Sequence, residues 1–188
     1  MTATPAALHF DFTSPSSVVA VLRLDTLRTH GAAITFVGID MLGLAIAVPF
    51  GPRLHTQRDQ WANDAQTLGI PLGTPAWQPP TLKAHLVSQI AEQSEVGALW
   101  RRHVLHAYWR EGAAIDTDEV VLELADNVGL EPQEVTHALA DDSRQRTLTQ
   151  QMTQNRRRGI GDVPVLEVHG NFVSPHVNDA DLAALLTV

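Results

Sequence analysis

The chain has 188 residues, 44% of them hydrophobic and 18% charged, a composition that builds a core and excludes a disordered chain. Its net charge of −8 repels a phosphate backbone, so no nucleic-acid partner is expected. It holds no cysteine, which removes disulfides, thiolate nucleophiles and thiolate metal sites from the protein's own chemistry.

The opening, MTATPAALHFDF, has no basic leading region and no long apolar core, so a cytoplasmic location is expected. Leu8 to Phe12 alternates and predicts a short strand. Pro15 to about Thr29 carries apolar residues at helical spacing, with Gly31 as the stop. Ala32 to Asp40 is a β-branched apolar run and predicts a buried strand, parallel to the first. The run Met41 to Gly51 is too short to span a bilayer and is broken by Pro49, so no membrane contact is expected.

From about Arg53 to Arg158 the pattern is helical, with no convincing strand. One helix closes at Gly69, and a proline-rich loop follows. The next starts on Thr81 as cap, and further helices end at Gly112, Gly129 and Gly159. The basic cluster Arg156-Arg157-Arg158 suits the negative end of the last one. VPVLEVHGNFVS then alternates on both sides of His169-Gly170, a hairpin signal. A final helix is capped by Asn178 or Asp179 and buries Leu182, Leu185 and Leu186. The order is β-α-β, a block of helices, then β-β-α. This predicts an α/β fold: a thioredoxin-like core (βαβ–ββα) from residues 1–45 and 159–188, with an inserted all-helical lobe at 46–158.

Ser14 follows a strand and precedes a helix, with Pro15 behind it. A serine cap and a proline at the first helical position make a complete start signal without any catalysis. The same helix end carries partial positive charge and favours an anion, such as the thiolate of a bound small molecule. Pro164 heads the hairpin, where a cis or an ordinary trans bond both fit. In a thioredoxin arrangement Val163-Pro164 faces Ser14. His103 and His106 stand three apart on one helix with no third ligand at a recognisable spacing, so no metal is expected. His9 faces either the core or the pocket, and His176 is an acid–base candidate. Trp61, Trp100, Tyr108 and Trp109 pack the helical block, and one or two of them suit the wall of an aromatic-substrate pocket.

Four segments carry a resemblance: FDFTSPSSVVA, QWANDAQTLGIPLGTP, AYWREGAAIDTDEVVLELADNVGL and RRRGIGDVPVLEVHGNFV. With them the chain resembles the DsbA-like thioredoxin superfamily, and within it the branch of 2-hydroxychromene-2-carboxylate isomerases and kappa-class glutathione transferases. The resemblance implies a glutathione-dependent or other low-molecular-weight-thiol-dependent isomerase or transferase, without redox disulfide activity. Its small-molecule substrate would be aromatic or polyketide-like, and a homodimer is implied. Ser14 would hold the cofactor sulfur as thiolate, with Ser17 at the second cysteine position of a redox relative. Val163 and Pro164 would pair with the cofactor backbone. Where the branch holds the γ-glutamyl end with an acid, this chain reads Val173 to Asp179, offering Asn178 and Asp179. Phe12, Pro15, His9, Trp109 and His176 are the expected substrate pocket. Before the Trp61-Ala62 segment the branch's lysine and tyrosine are missing, so a different thiol, or binding without any thiol in a non-catalytic or cofactor-free isomerase pocket, stays open.

Overall fold

The computed structural model describes residues 5–186. The first three elements are β1 (Ala6–Phe10), α1 (Pro15–Thr29) and β2 (Ile34–Gly38). β2 lies parallel to β1, from Ala6 opposite Ile34 to Phe10 opposite Gly38. The chain returns to the sheet only at β5 (Val165–Val168) and β6 (Asn171–Val173), and it ends in α8 (Asp179–Leu186). β5 pairs antiparallel with β1, Leu8 opposite Leu166, and β6 folds back on β5. The sheet order is β2-β1-β5-β6, so β1 is central although it comes first. The hairpin turn is His169-Gly170, with φ of 50° and 76°. Two successive left-handed residues match the right-handed twist of the strands they join.

Between β2 and β5 run α2 (Pro52–Thr67), α3 (Leu82–Gln93), α4 (Gly97–Glu111), α5 (Asp118–Asn127), α6 (Pro132–Ala140) and α7 (Asp142–Arg157). Two short strands, β3 (Val48–Pro49) and β4 (Trp77–Gln78), pair antiparallel at the mouth of this block. They are absent from the sequence reading because two residues are too few to show alternation. β1 also ends two residues earlier than its alternation suggests. The Phe12 carbonyl accepts from Trp109 Nε1 at 2.9 Å instead of from a strand, and the Asp11 carboxylate takes the Thr13 amide. Thr81 occupies the cap position of α3, but its hydroxyl makes no capping bond. Its amide donates to Asp40 Oδ2 at 3.2 Å. At the last helix the cap is Asn178, whose Oδ1 accepts from the Asp181 amide. Leu182 and Leu186 are buried there, and Leu185 is only partly covered. Among the described residues no helix is long and apolar enough to cross a membrane.

α1 is buried on nearly every side from Pro15 to Leu22 and again at Leu24. It lies between β1 and the lobe's α2 and α4, which is why its apolar residues form no single stripe. One guanidinium fastens this junction. Arg101 of α4 is fully buried. It bonds Asp25 of α1 and Glu92 of α3, and it sits 3.6 Å over the Phe36 ring of β2. A buried charge is tolerable only when fully paired, and here both acids and a π face surround it. Arg101→Met is expected to lower unfolding free energy by about 3 kcal/mol, because it leaves two acids facing each other. Arg28→Ala, which removes a more exposed partner of the same Glu92, should cost under about 1 kcal/mol. Urea unfolding of the two variants checks the difference.

Candidate functional site

The β1–α1 loop delivers Ser14 to the N-terminus of α1. Ser14 has extended backbone, φ −90° and ψ 118°, and its Oγ accepts from the Ser17 amide. Pro15 occupies the first turn and has no amide to leave bare. The cap expectation is therefore met, and the hydroxyl does more than cap. Ser14 Oγ donates to the Val163 carbonyl at 3.2 Å and lies 3.1 Å from Ser16 Oγ. Ser16 also donates to Val163 at 3.4 Å. The Val163-Pro164 peptide is cis, and the Val163 amide donates to Asp162 Oδ1. The segment leading into β5 and the start of α1 thus meet through two hydroxyls and one carbonyl.

Beside this contact opens a cavity of about 360 Å³. Thr13 and Ser14 form one side. Met41 and Leu42, from the loop after β2, form the apolar wall, continued by Val48 and Leu54. Gln57 of α2 and Gln78 of β4 add amides, and Gln78 Nε2 donates to the Thr13 hydroxyl at 3.3 Å. Arg53 of α2 and Asp162 pair across the opening at 2.8 Å, both well exposed. The cavity therefore joins a helix N-terminus, two hydroxyls, an apolar wall and one arginine paired with an aspartate.

Residues 7–186 match the model of the DSBA-like thioredoxin domain. The chain belongs to that family. It is 26% identical over 167 residues to the 2-hydroxychromene-2-carboxylate isomerase of Pseudomonas putida, covering 84% of this chain and 82% of that one. A solved structure of 2-hydroxychromene-2-carboxylate isomerase superposes with a TM-score of 0.72 at 22% identity, covering 89% of this chain and 87% of that one. The cytosolic disulfide reductase DsbM from Pseudomonas aeruginosa, solved with GSH, superposes at 0.71 with 18% identity, covering 96% and 95%. These structural likenesses establish the DsbA-like thioredoxin fold.

Within this family fold, most residues expected around Ser14 take other places. The cavity lining includes Ser14 and none of His9, Phe12, Pro15, Ser17, Trp109, Val163, Pro164, His176, Asn178 or Asp179; Val163 touches the site only through its bonds to Ser14 and Ser16. Ser17 is fully buried, and its hydroxyl accepts from the Asp11 amide at 3.4 Å. Phe12 and Trp109 lie beneath the β1–α1 loop, where Phe12 stacks on His85 with ring centroids 4.7 Å apart. Burial pushes the His85 imidazole down to about 3, so it packs as a neutral ring. His9 is buried within β1 and bonds Glu167 of the neighbouring strand β5 at 3.0 Å. His176 stacks on Trp61 at 4.1 Å, and burial pushes it down to about 4. Asp179 pairs with Arg23, whose guanidinium also bonds the Pro175 and Val177 carbonyls. Asp179 thus ties α8 to Arg23 of α1, while Asn178 caps α8 through Asp181.

The residues missed are Arg53, Gln57 and Gln78. Gly51 caps α2 and Pro52 opens it, a helix-start signal that could have placed Arg53 in the first turn. Nothing in the sequence aimed that turn at Ser14. Among the described residues no group of three His, Asp or Glu side chains is arranged to hold a metal ion. A larger cavity, of about 520 Å³, lies between α4 and α5 beside His103 and His106 and holds no residue of the Ser14 site. Ser14→Ala removes a cap and a bond to Val163, and is expected to lower stability by about 1 kcal/mol. Ser17→Ala, which leaves the Asp11 amide buried without its acceptor, should cost about 1–3 kcal/mol. Chemical denaturation of the two variants tests whether Ser17 is the more structural serine.

Proposed function

We propose that the Ser14 cavity binds the sulfur of glutathione or another low-molecular-weight thiol, and that the protein is an isomerase-like enzyme for a small aromatic or polyketide-like molecule. The observation that carries this is a cavity lined by Ser14, whose hydroxyl both caps the α1 N-terminus and bonds the buried Val163 carbonyl behind it, in a chain without cysteine. The donor set fits a thiolate. A hydroxyl and a helix N-terminus both favour negative charge and have no anion of their own to hold. Arg53 suits a carboxylate on the ligand, and the Met41–Leu42 wall suits an apolar substrate. Similarity to an isomerase and to a reductase solved with GSH supports the same class of ligand.

Bound there, a thiol supplies a nucleophile for reversible addition to an electrophilic alkene, which permits bond rotation before elimination. The chain's own part is electrostatic and positional. Ser14 donates to the sulfur, which keeps it ionised at neutral pH. The first turn of α1 adds partial positive charge where the thiolate would sit. Val163 turns its carbonyl from the serine hydroxyls to a ligand N–H. The apolar wall excludes water from the reacting alkene. With no cysteine, the protein itself forms no mixed disulfide.

A second reading is a small-molecule-binding protein that uses no thiol. It is favoured by one observation: Ser14 and Ser16 already satisfy the Val163 carbonyl, and Asp162 already satisfies Arg53. Calorimetric titration of glutathione and other small thiols into the wild type and Ser14→Ala separates the two. Saturable binding, weaker by about tenfold in the variant, is expected from loss of a bond to a charged group. Absence of saturable binding for every thiol overturns the thiol reading and leaves the second.

A further inference from the structure

Asp11 lies three residues before Ser14 and is fully buried. Its Oδ1 accepts from the Thr13 amide at 3.1 Å, and its Oδ2 accepts from the Met41 amide at 2.7 Å. Thr13 and Met41 both line the Ser14 cavity, on different loops. One carboxylate therefore fastens both walls from behind. A second buried acid, Asp40, stands beside it. Asp40 Oδ1 accepts from Gly43 and its Oδ2 from Thr81 at the start of α3. Among the described residues neither acid forms an ion pair. Arg156 of α7 reaches only the Asp40 backbone carbonyl. The other groups facing Asp11 are the Thr81 hydroxyl of α3 and the Tyr108 phenol of α4. α1 contributes the uncharged Ser17 hydroxyl, which accepts from the Asp11 amide. Burial, and then the charge on Asp11, hold the Tyr108 phenol well above its ordinary range, so it stays neutral.

This arrangement costs stability. Burial, and then the charge on Asp40, push the Asp11 carboxyl up from 3.8 to about 7. An acid whose folded value lies above its unfolded value loses stability as pH rises between the two. The full cost is present above 7. A pair kept only for stability would not be built this way. What the ionised carboxylate gains is two acceptor oxygens for two loop amides, where a protonated one turns an oxygen into a donor.

We infer that Asp11 is a positioning residue for the Ser14 site: its carboxylate clamps the Thr13 and Met41 loops into the walls of the cavity, and its ionisation sets how tightly a ligand is held there. The ligand half of this inference rests on the thiol reading above; the clamp itself does not. Protonating Asp11 frees one loop, and with Asp40 as a like-charged neighbour the change falls close to neutral pH.

Two measurements test it on the whole chain. In amide NMR of the ligand-free protein, the Thr13 and Met41 signals should titrate together with a midpoint of about 7. Asp40→Asn should move that midpoint to lower pH, and Asp11→Asn should abolish it. Signals of Thr13 and Met41 that stay flat through this range in the wild type overturn the clamp, whatever the protein binds. The second measurement is glutathione affinity of wild type and Asp11→Asn, taken as a ratio so that the ligand's own titration cancels. Asparagine keeps one acceptor oxygen and mimics the protonated clamp. The variant should bind about tenfold more weakly than wild type at about pH 8.5 and equally at about pH 5.5. A ratio independent of pH overturns the coupling to ligand binding. Titrating amides in a protein that binds no thiol would uphold the clamp and sink the thiol reading alone.

Discussion

The hydrogen bond from Ser14 to the Val163 carbonyl joins two residues 149 positions apart. Every element of the helical lobe lies between them in sequence, so the lobe must leave and return at one place. The central strand β1 enforces that return, because it pairs with β2 on one edge and with β5 on the other. Once β5 is registered against β1, the residues ahead of it fall opposite the start of α1. The cavity beside Ser14 is thus a product of sheet register before it is a product of any particular side chain. Arg53 and Asp162 repeat the same closure at the surface, from α2 to the segment before β5.

The protein treats its buried charges in two different ways. Arg101 is enclosed by Asp25, Glu92 and the Phe36 ring, and its charge is compensated on three sides. Asp11 and Asp40 are enclosed by backbone amides. The first arrangement shares no residue with the lining of the Ser14 cavity and behaves as scaffold. The second is uncompensated and touches the cavity walls. Strain of this kind persists where the surrounding fold over-determines it, and it clusters where a local equilibrium is useful.

The order of elements was legible because its signals are local. Proline at the first turn of α1, α2 and α6 marks three starts. A left-handed glycine at Gly112 ends α4, with φ of 69°. The parallel pairing of the first two strands followed from the crossover helix between them. The site was legible only at Ser14 and at Val163-Pro164, where strand ends meet by the rules of the fold. Phe12 and Trp109 were expected in the pocket as what the family resemblance implies, Trp109 as an aromatic wall from the helical block. The β1–α1 loop has two sides, however, and large apolar groups gain more by going beneath it. Trp109 then spends its indole N–H on the Phe12 carbonyl. Arg53, Gln57 and Gln78 are polar residues in unremarkable contexts. Only tertiary packing turns them toward Ser14, and no periodicity encodes that.

Replacing a sulfur with a hydroxyl changes what the helix end can do. A thiol at this position can ionise, and its thiolate then takes up the favourable charge at the α1 N-terminus. A serine hydroxyl stays neutral at physiological pH, so the partial positive charge remains unspent. Ser14 uses its oxygen as acceptor toward Ser17 and its proton as donor toward Val163. An incoming anion asks only for that proton. The cap can therefore persist while the donor is redirected, and α1 need not fray for a ligand to bind. The two roles of Ser14 do not compete, because they use opposite ends of one O–H group.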